Sequence, residues 1–156
     1  MYQRGVVVGK FWPVHSGHLH LIDTALAQCD QLHVGVVYDY GQKPTGEQRA
    51  DALEEIYGSL IVVDVLPNPP GKDEDSAYWA WYTHQWLDDF PDVVFTSESY
   101  GESWAEELTK LNRKLNGWAA YPTRHVMVDL DRKRNPISGT LVRADPFNLW
   151  EELSPP

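Results

Sequence analysis

The chain has 156 residues, of which 42% are hydrophobic and 23% charged; that balance supports one folded domain of ordinary size and excludes a chain disordered throughout. Thirteen Lys and Arg stand against 23 Asp and Glu, a formal net charge of −10, which argues against general binding to nucleic acid or to an anionic membrane surface. A single cysteine excludes an internal disulfide and a cysteine-based metal cage, and without a secretory leader or a membrane-length apolar run the expected location is the cytoplasm.

The first predicted element is a short apolar strand, Gly5-Val6-Val7-Val8-Gly9, running into Lys10-Phe11-Trp12-Pro13-Val14-His15-Ser16-Gly17-His18. Leu19, Ile22, Leu26 and Cys29 then recur at helical spacing, which puts Cys29 late in an amphipathic helix, as a buried thiol rather than a nucleophile. Residues 32–38 read as a second buried strand. A second helix starts around Thr45 and Gln48, which have capping-box spacing, and Gly58 is its terminator. A third strand covers 60–65. Residues 66–76, dense in Pro, Gly and Asp, read as a loop that rims a site. A helix over 77–87 capped by Ser76, a strand over 92–96 and a helix over 102–115 ending near Asn116-Gly117 follow. A short strand at 125–128, a charged turn at 129–135 and a last helical segment beyond Pro136 complete the chain. Strands alternating with helices argue for a parallel sheet covered on both faces. With no internal repeat and no linker, residues 1–156 read as one domain.

Four constellations carry the chemistry. The first is Gly9, Lys10 and Phe11 with His15 and His18. Two imidazoles and the N–H groups of a helix start then lie at the carboxyl end of the first strand, where anions bind in open α/β sheets. The second is Ile137-Ser138-Gly139-Thr140-Leu141-Val142-Arg143. Ser138 or Thr140 can cap a helix whose first amides hold phosphates, and Arg143 can present a forked donor to the same anion. Arg132, Lys133, Arg134 and Arg143 also gather the scarce positive charge locally. The third is Phe95-Thr96-Ser97-Glu98-Ser99-Tyr100-Gly101, a strand exit rich in hydroxyls that suits a base or ribose. The fourth is Tyr78-Trp79-Ala80-Trp81-Tyr82, which serves either as core or interface or, through one ring, as a stacking surface for a planar cationic ligand.

Gly-Lys-Phe-x-Pro-x-His-x-Gly-His from Gly9 to His18, joined to Ile-Ser-Gly-Thr-x-x-Arg from Ile137 to Arg143, resembles the nucleotidyltransferase superfamily marked by a His-x-Gly-His motif. More closely, the chain resembles the nicotinamide mononucleotide (NMN) adenylyltransferase domain of the bacterial bifunctional NAD-biosynthesis regulator family. Supporting segments are Leu32-His33-Val34, Pro44-Thr45 with Arg49, Trp79 ahead of Pro91-Asp92, Ser97 to Gly101, Val128-Asp129 with Arg132, and Arg143 to Phe147 followed by Trp150.

The resemblance implies a Rossmann-like, doubly wound parallel sheet of five strands and the reaction of ATP with NMN to give NAD and pyrophosphate. It implies that His15, His18 and Arg143 are catalytic, and that Gly9, Lys10 and Phe11 line the ATP site. It implies that Ser138, Thr140 and Arg143, assisted by Arg132, hold the β- and γ-phosphates, and that Ser97, Glu98 and Gly101 lie near adenosine. Trp79 would stack on the nicotinamide ring, with Arg49 and Tyr38 completing the mononucleotide site. Mg²⁺ would arrive with ATP, and no protein metal ligand is named. Members of that family usually continue into a ribosylnicotinamide kinase domain. No Gly-x-x-x-x-Gly-Lys-Ser/Thr motif occurs here, so no kinase domain is expected, and without an amino-terminal DNA-binding extension neither is direct gene repression. The rival readings are an adenylyl or cytidylyl transferase for phosphopantetheine or flavin mononucleotide, and a non-catalytic sensor of NAD or ATP. Trp79 and the Ile-Ser-Gly-Thr segment favour the nicotinamide acceptor. The aromatic surplus is compatible with a homo-oligomer.

Overall fold

The structure, a computed structural model, describes residues 1–128. The expected turn at 129–135 and the final segment, with Arg132, Ser138, Thr140 and Arg143, lie outside the described residues. Five strands alternate with four helices: β1 (Tyr2–Gly9), α1 (Ser16–Leu26), β2 (Cys29–Tyr38), α2 (Gly46–Tyr57), β3 (Ile61–Pro67), α3 (Ser76–Leu87), β4 (Val93–Thr96), α4 (Tyr100–Asn116) and β5 (Arg124–Met127), with a single 3-10 turn at Gly58–Leu60 before β3. All strand pairs are parallel, in the order β3-β2-β1-β4-β5. This is the five-stranded, doubly wound Rossmann-like α/β architecture that the alternation and the resemblance predict.

The valine run of β1 shows why helices must cover both faces. Side chains alternate across a strand. Val7 therefore joins Leu21 and Ile22 of α1 and Leu53 of α2 on one face. Val6 joins Ala80 of α3 and Trp104 and Leu108 of α4 on the other. After β1 the chain winds outward through β2 to β3, then crosses through α3 to β4 on the opposite side of β1. The switch point therefore lies between β1 and β4. The two strands pair only at Gly5–Val93 and Val6–Val94, so a crevice opens beyond Val6, where ligands bind in sheets of this kind.

Some boundaries differ from those expected. Cys29 opens β2, paired with Tyr2 of β1, instead of closing α1. It is buried all the same; its thiol meets Ala25 O at 3.3 Å, and burial raises its pKa. The cap of α3 is Asp75, whose Oδ1 accepts the Tyr78 N–H at 2.9 Å; Ser76, the expected cap, is the first helical residue. Helix α4 starts at Tyr100 and takes in Gly101. Among the described residues no helix is long and apolar enough to cross a membrane.

Candidate functional site

The turn from β1 into α1 is built by its own histidines. His15 is the extended N-cap residue of α1, and its Nδ1 accepts the Gly17 N–H at 3.1 Å. The His15 N–H in turn donates to Nδ1 of His18 at 3.1 Å. The His-x-Gly-His spacing is thus a capping box in which imidazoles take the places usually held by a hydroxyl and a carboxylate. The rings stack with centroids 3.9 Å apart, and Phe11, at φ 51, lies 4.8 Å from His18.

Two consequences follow. The N–H groups of His15 and Gly17 are already bonded, as is that of His18, to the His15 carbonyl at 2.9 Å. The helix start is therefore not the set of free backbone donors expected from the sequence. Secondly, an imidazole that accepts at Nδ1 carries its proton at Nε2, so each ring is arranged as an Nε2–H donor. Burial, with His15 alongside, lowers the His18 pKa to about 3, so His18 is neutral near pH 7. It can donate a hydrogen bond to an anion without being a cation.

That depression also has a stability signature. Above the ordinary imidazole value of about 6.5 neither state binds the proton; below it the unfolded chain takes up a proton that folded His18 refuses until about pH 3. Stability is therefore lost as pH falls through this window. Between pH 7 and pH 5 the expected loss is about 1–2 kcal/mol, allowing for partial solvent access. Urea unfolding at both pH values should show a loss smaller by this amount in His18→Asn than in the wild type, since the amide keeps an acceptor for the His15 N–H and does not titrate.

Beside this turn lies a cavity of about 630 Å³ between β1, α3 and α4. Gly9 and Lys10 form one wall, Trp79 another, Tyr100 closes the α4 side, and Asp73 and Glu74 stand at the loop before α3. The Trp79 indole N–H donates to Lys72 O at 2.9 Å, which fixes the ring. At Gly9 a Cβ would come within 3.3 Å of the Phe11 ring, so the glycine leaves room for Phe11.

Of the residues singled out in the sequence, the structure brings Gly9, Lys10 and Trp79 to this cavity and sets Phe11, His15 and His18 at the turn above it. Tyr38 lines a separate recess of about 330 Å³ with Asp39 and Gln42. Arg49 is 1% exposed, and its guanidinium bonds backbone carbonyls and Gln42 Oε1 rather than facing either cavity. Ser97 and Glu98 form the exit of β4. Gly101 packs against β4 and β5: a Cβ there would overlap the His125 ring and the Thr96 hydroxyl.

Asp73, Glu74 and Ser103 were missed as lining residues. The first two fall in the loop expected to rim a site. Ser103 lies one turn along α4, and its hydroxyl pairs with that of Ser76 at 3.1 Å, a juxtaposition that local sequence cannot show. Among the described residues no three His, Cys, Asp or Glu side chains are grouped to hold a metal ion.

A family model described as cytidylyltransferase-like matches residues 6–145. The trifunctional NAD biosynthesis/regulator protein NadR of Escherichia coli (strain K12) is 28% identical over 172 residues, covering 96% of this chain and 38% of that protein. The chain thus spans about two fifths of that relative. A nicotinamide-nucleotide adenylyltransferase of Methanocorpusculum labreanum is 26% identical over 161 residues, 98% of this chain and 86% of the relative. A crystal structure of NadR protein in complex with NAD and AMP-PNP superposes with a TM-score of 0.66 at 19% identity, over 99% of this chain and 45% of that one; at that identity the likeness speaks for the fold.

Proposed function

The chain belongs to the cytidylyltransferase-like family, and from that premise we propose that it is an adenylyltransferase that moves AMP from ATP onto NMN, giving NAD and pyrophosphate. The observation that carries this reading is the cavity at the carboxyl end of β1, where a fixed Trp79 faces a space edged by Asp73 and Glu74. An aromatic face with carboxylates nearby suits a flat cationic ring, and the pyridinium of NMN is such a ring. The family relationship and the similarity to proteins named nicotinamide-nucleotide adenylyltransferase support it.

In this reaction the NMN phosphate oxygen attacks the α-phosphorus of ATP. A new P–O bond forms in line with the bridging oxygen, which leaves with its electron pair as pyrophosphate. The nucleophile is already an anion, so no general base is required, and catalysis reduces to positioning and charge stabilisation. His15 and His18 donate from Nε2 to the phosphate oxygens. Gly9 and Lys10 offer a close backbone approach and a cation, and Phe11 backs the His18 ring. Ser138, Thr140, Arg132 and Arg143 hold the β- and γ-phosphates. Ser97, Glu98 and Gly101 form the adenosine side, across the switch point. Trp79 stacks on nicotinamide, Arg49 braces the cavity wall from behind through Lys10 O, and Tyr38 stays in its separate recess. Magnesium arriving with ATP would supply further neutralisation of the developing charge, and no protein ligand is assigned to it.

The test is pyrophosphate release from ATP and Mg²⁺ with NMN, nicotinic acid mononucleotide, phosphopantetheine and flavin mononucleotide offered separately. Release with NMN, with NAD as the product, is expected. Release only with another acceptor would replace the substrate, and ATP binding without release would make the protein a sensor. Trp79→Ala should weaken NMN binding by about 1–3 kcal/mol, the usual worth of stacking one base on an aromatic ring; an unchanged NMN affinity would remove Trp79 from the site.

A further inference from the structure

The exit of β4 is held by one hydroxyl. Thr96 Oγ1 donates to Glu98 O at 2.8 Å and accepts the Glu98 N–H at 3.3 Å, so both ends of one residue are tied to it. The same oxygen lies 2.7 Å from Nε2 of His125 on β5. The other ring nitrogen, Nδ1, is 3.1 Å from Glu102 Oε2 on α4. Thr96 is buried, the His125 side chain is 4% exposed, and Gly101 leaves no space above the ring. The imidazole is thus wedged between three elements with both nitrogens engaged.

Counting protons shows how the parts depend on one another. Thr96 has one hydroxyl hydrogen, and Glu98 O can only accept it. With that hydrogen spent, the short contact to His125 is a hydrogen bond only if Nε2 donates. Glu102 likewise requires a donor at Nδ1. Nothing in the proposed phosphoryl chemistry uses this ring, yet it is bonded to the residue that ties down the turn after β4.

We propose that His125 is a positioning residue for ATP: through Thr96 it fixes the Glu98 peptide, and so presents the Ser97-Glu98 turn to the nucleoside. This rests on the reading of that turn as the adenosine side of the site. Trp79 is held separately, by Lys72 O, so its stacking ring does not hang on the wedge.

The experiment is calorimetric titration of the wild type and variants with ATP plus Mg²⁺ and, separately, with NMN. His125→Asn keeps a group near Nδ1 but cannot reach Thr96; His125→Gln can place an amide N–H where Nε2 stood. Asn should weaken ATP about tenfold, the worth of roughly one lost hydrogen bond, and NMN less than about twofold. Gln should stay within about threefold of wild type for both. Unchanged ATP affinity in His125→Asn, equal losses for the two ligands, or a Gln variant as weak as Asn would overturn the proposal. Should His125→Asn fail to fold, Glu102→Gln on the exposed carboxylate should weaken ATP about threefold, and no change there would equally overturn it. Binding is read without turnover, so a wild type that binds ATP and releases no pyrophosphate would sink the proposed reaction and leave this assignment standing.

Discussion

Turnover in His18→Asn is expected to fall by about a hundredfold or more, the scale on which one preorganised donor to a developing charge contributes. The choice of Asn over Ala follows from the geometry. His18 does two jobs with its two nitrogens: Nδ1 accepts the His15 N–H at 3.1 Å, and Nε2–H is left to donate. Alanine removes both and also the surface on which His15 stacks, so a slow His18→Ala enzyme would have two explanations. Asparagine offers its side-chain oxygen to the His15 N–H, so the box that starts α1 is kept, and it has no donor at the reach of Nε2. The expected pattern is a melting temperature within a few degrees of wild type, KM values changed modestly, and kcat reduced by about two orders of magnitude. Because His18 is neutral in the free protein, His18→Gln, whose amide N–H reaches further, should recover part of the loss although it carries no charge. A His18→Asn enzyme with near wild-type kcat would take His18 out of the chemistry and leave it as a helix cap.

The same residues show what a sequence can and cannot disclose here. The turn into α1 was legible because everything it needs is contiguous: a strand, a tight turn, and His-x-Gly-His within eighteen residues of the start. The capping box at Thr45 and Gln48 and the stop at Gly58 were legible for the same reason, and both stand in the structure. What was misjudged depended on competition between neighbours. Asp75 and Ser76 can both cap a helix, and the carboxylate wins because its Oδ1 reaches the Tyr78 N–H. Cys29 fits a helical period, but pairing with Tyr2 recruits it to β2. At Gly101 the structure adds a packing reason that no local pattern shows: a Cβ there would overlap the His125 ring, twenty-four residues away in sequence. The cavity wall at Ser103 and the His125 wedge arise only when α4 packs on β4 and β5, and no local pattern announces either.

Arg49→Met should be strongly destabilising. Its guanidinium is 1% exposed and donates from Nη1 to Lys10 O at 2.6 Å and to Val37 O at 3.4 Å, from Nη2 to Gln42 Oε1 at 2.9 Å, and from Nε to Thr45 O at 3.2 Å. Those acceptors sit at the end of β1, the end of β2 and the start of α2, the three strand and helix ends that frame the site. Burial lowers the Arg49 pKa, and the nearby Asp39 carboxylate works against that shift. Methionine of similar length would leave several buried acceptors without donors, for an expected loss of about 3–5 kcal/mol. For a domain of this size that is a drop of roughly 10 °C in melting temperature. Arg49→Lys should recover less than half, since an ammonium is a single point donor and cannot serve acceptors arranged around a planar fork. The functional cost should follow from the scaffold. Lys10 and Gly9 carry one wall of the cavity, so losing the bond to Lys10 O should raise KM for both substrates together. The resemblance implies a different role, contact with the mononucleotide itself, and the two make opposite predictions for one variant. A stability loss below about 1 kcal/mol in Arg49→Met, combined with a weakening confined to NMN, would mean that the guanidinium turns to the mononucleotide when it binds. A large loss of stability with both substrates weakened alike would keep Arg49 as the brace beneath the site.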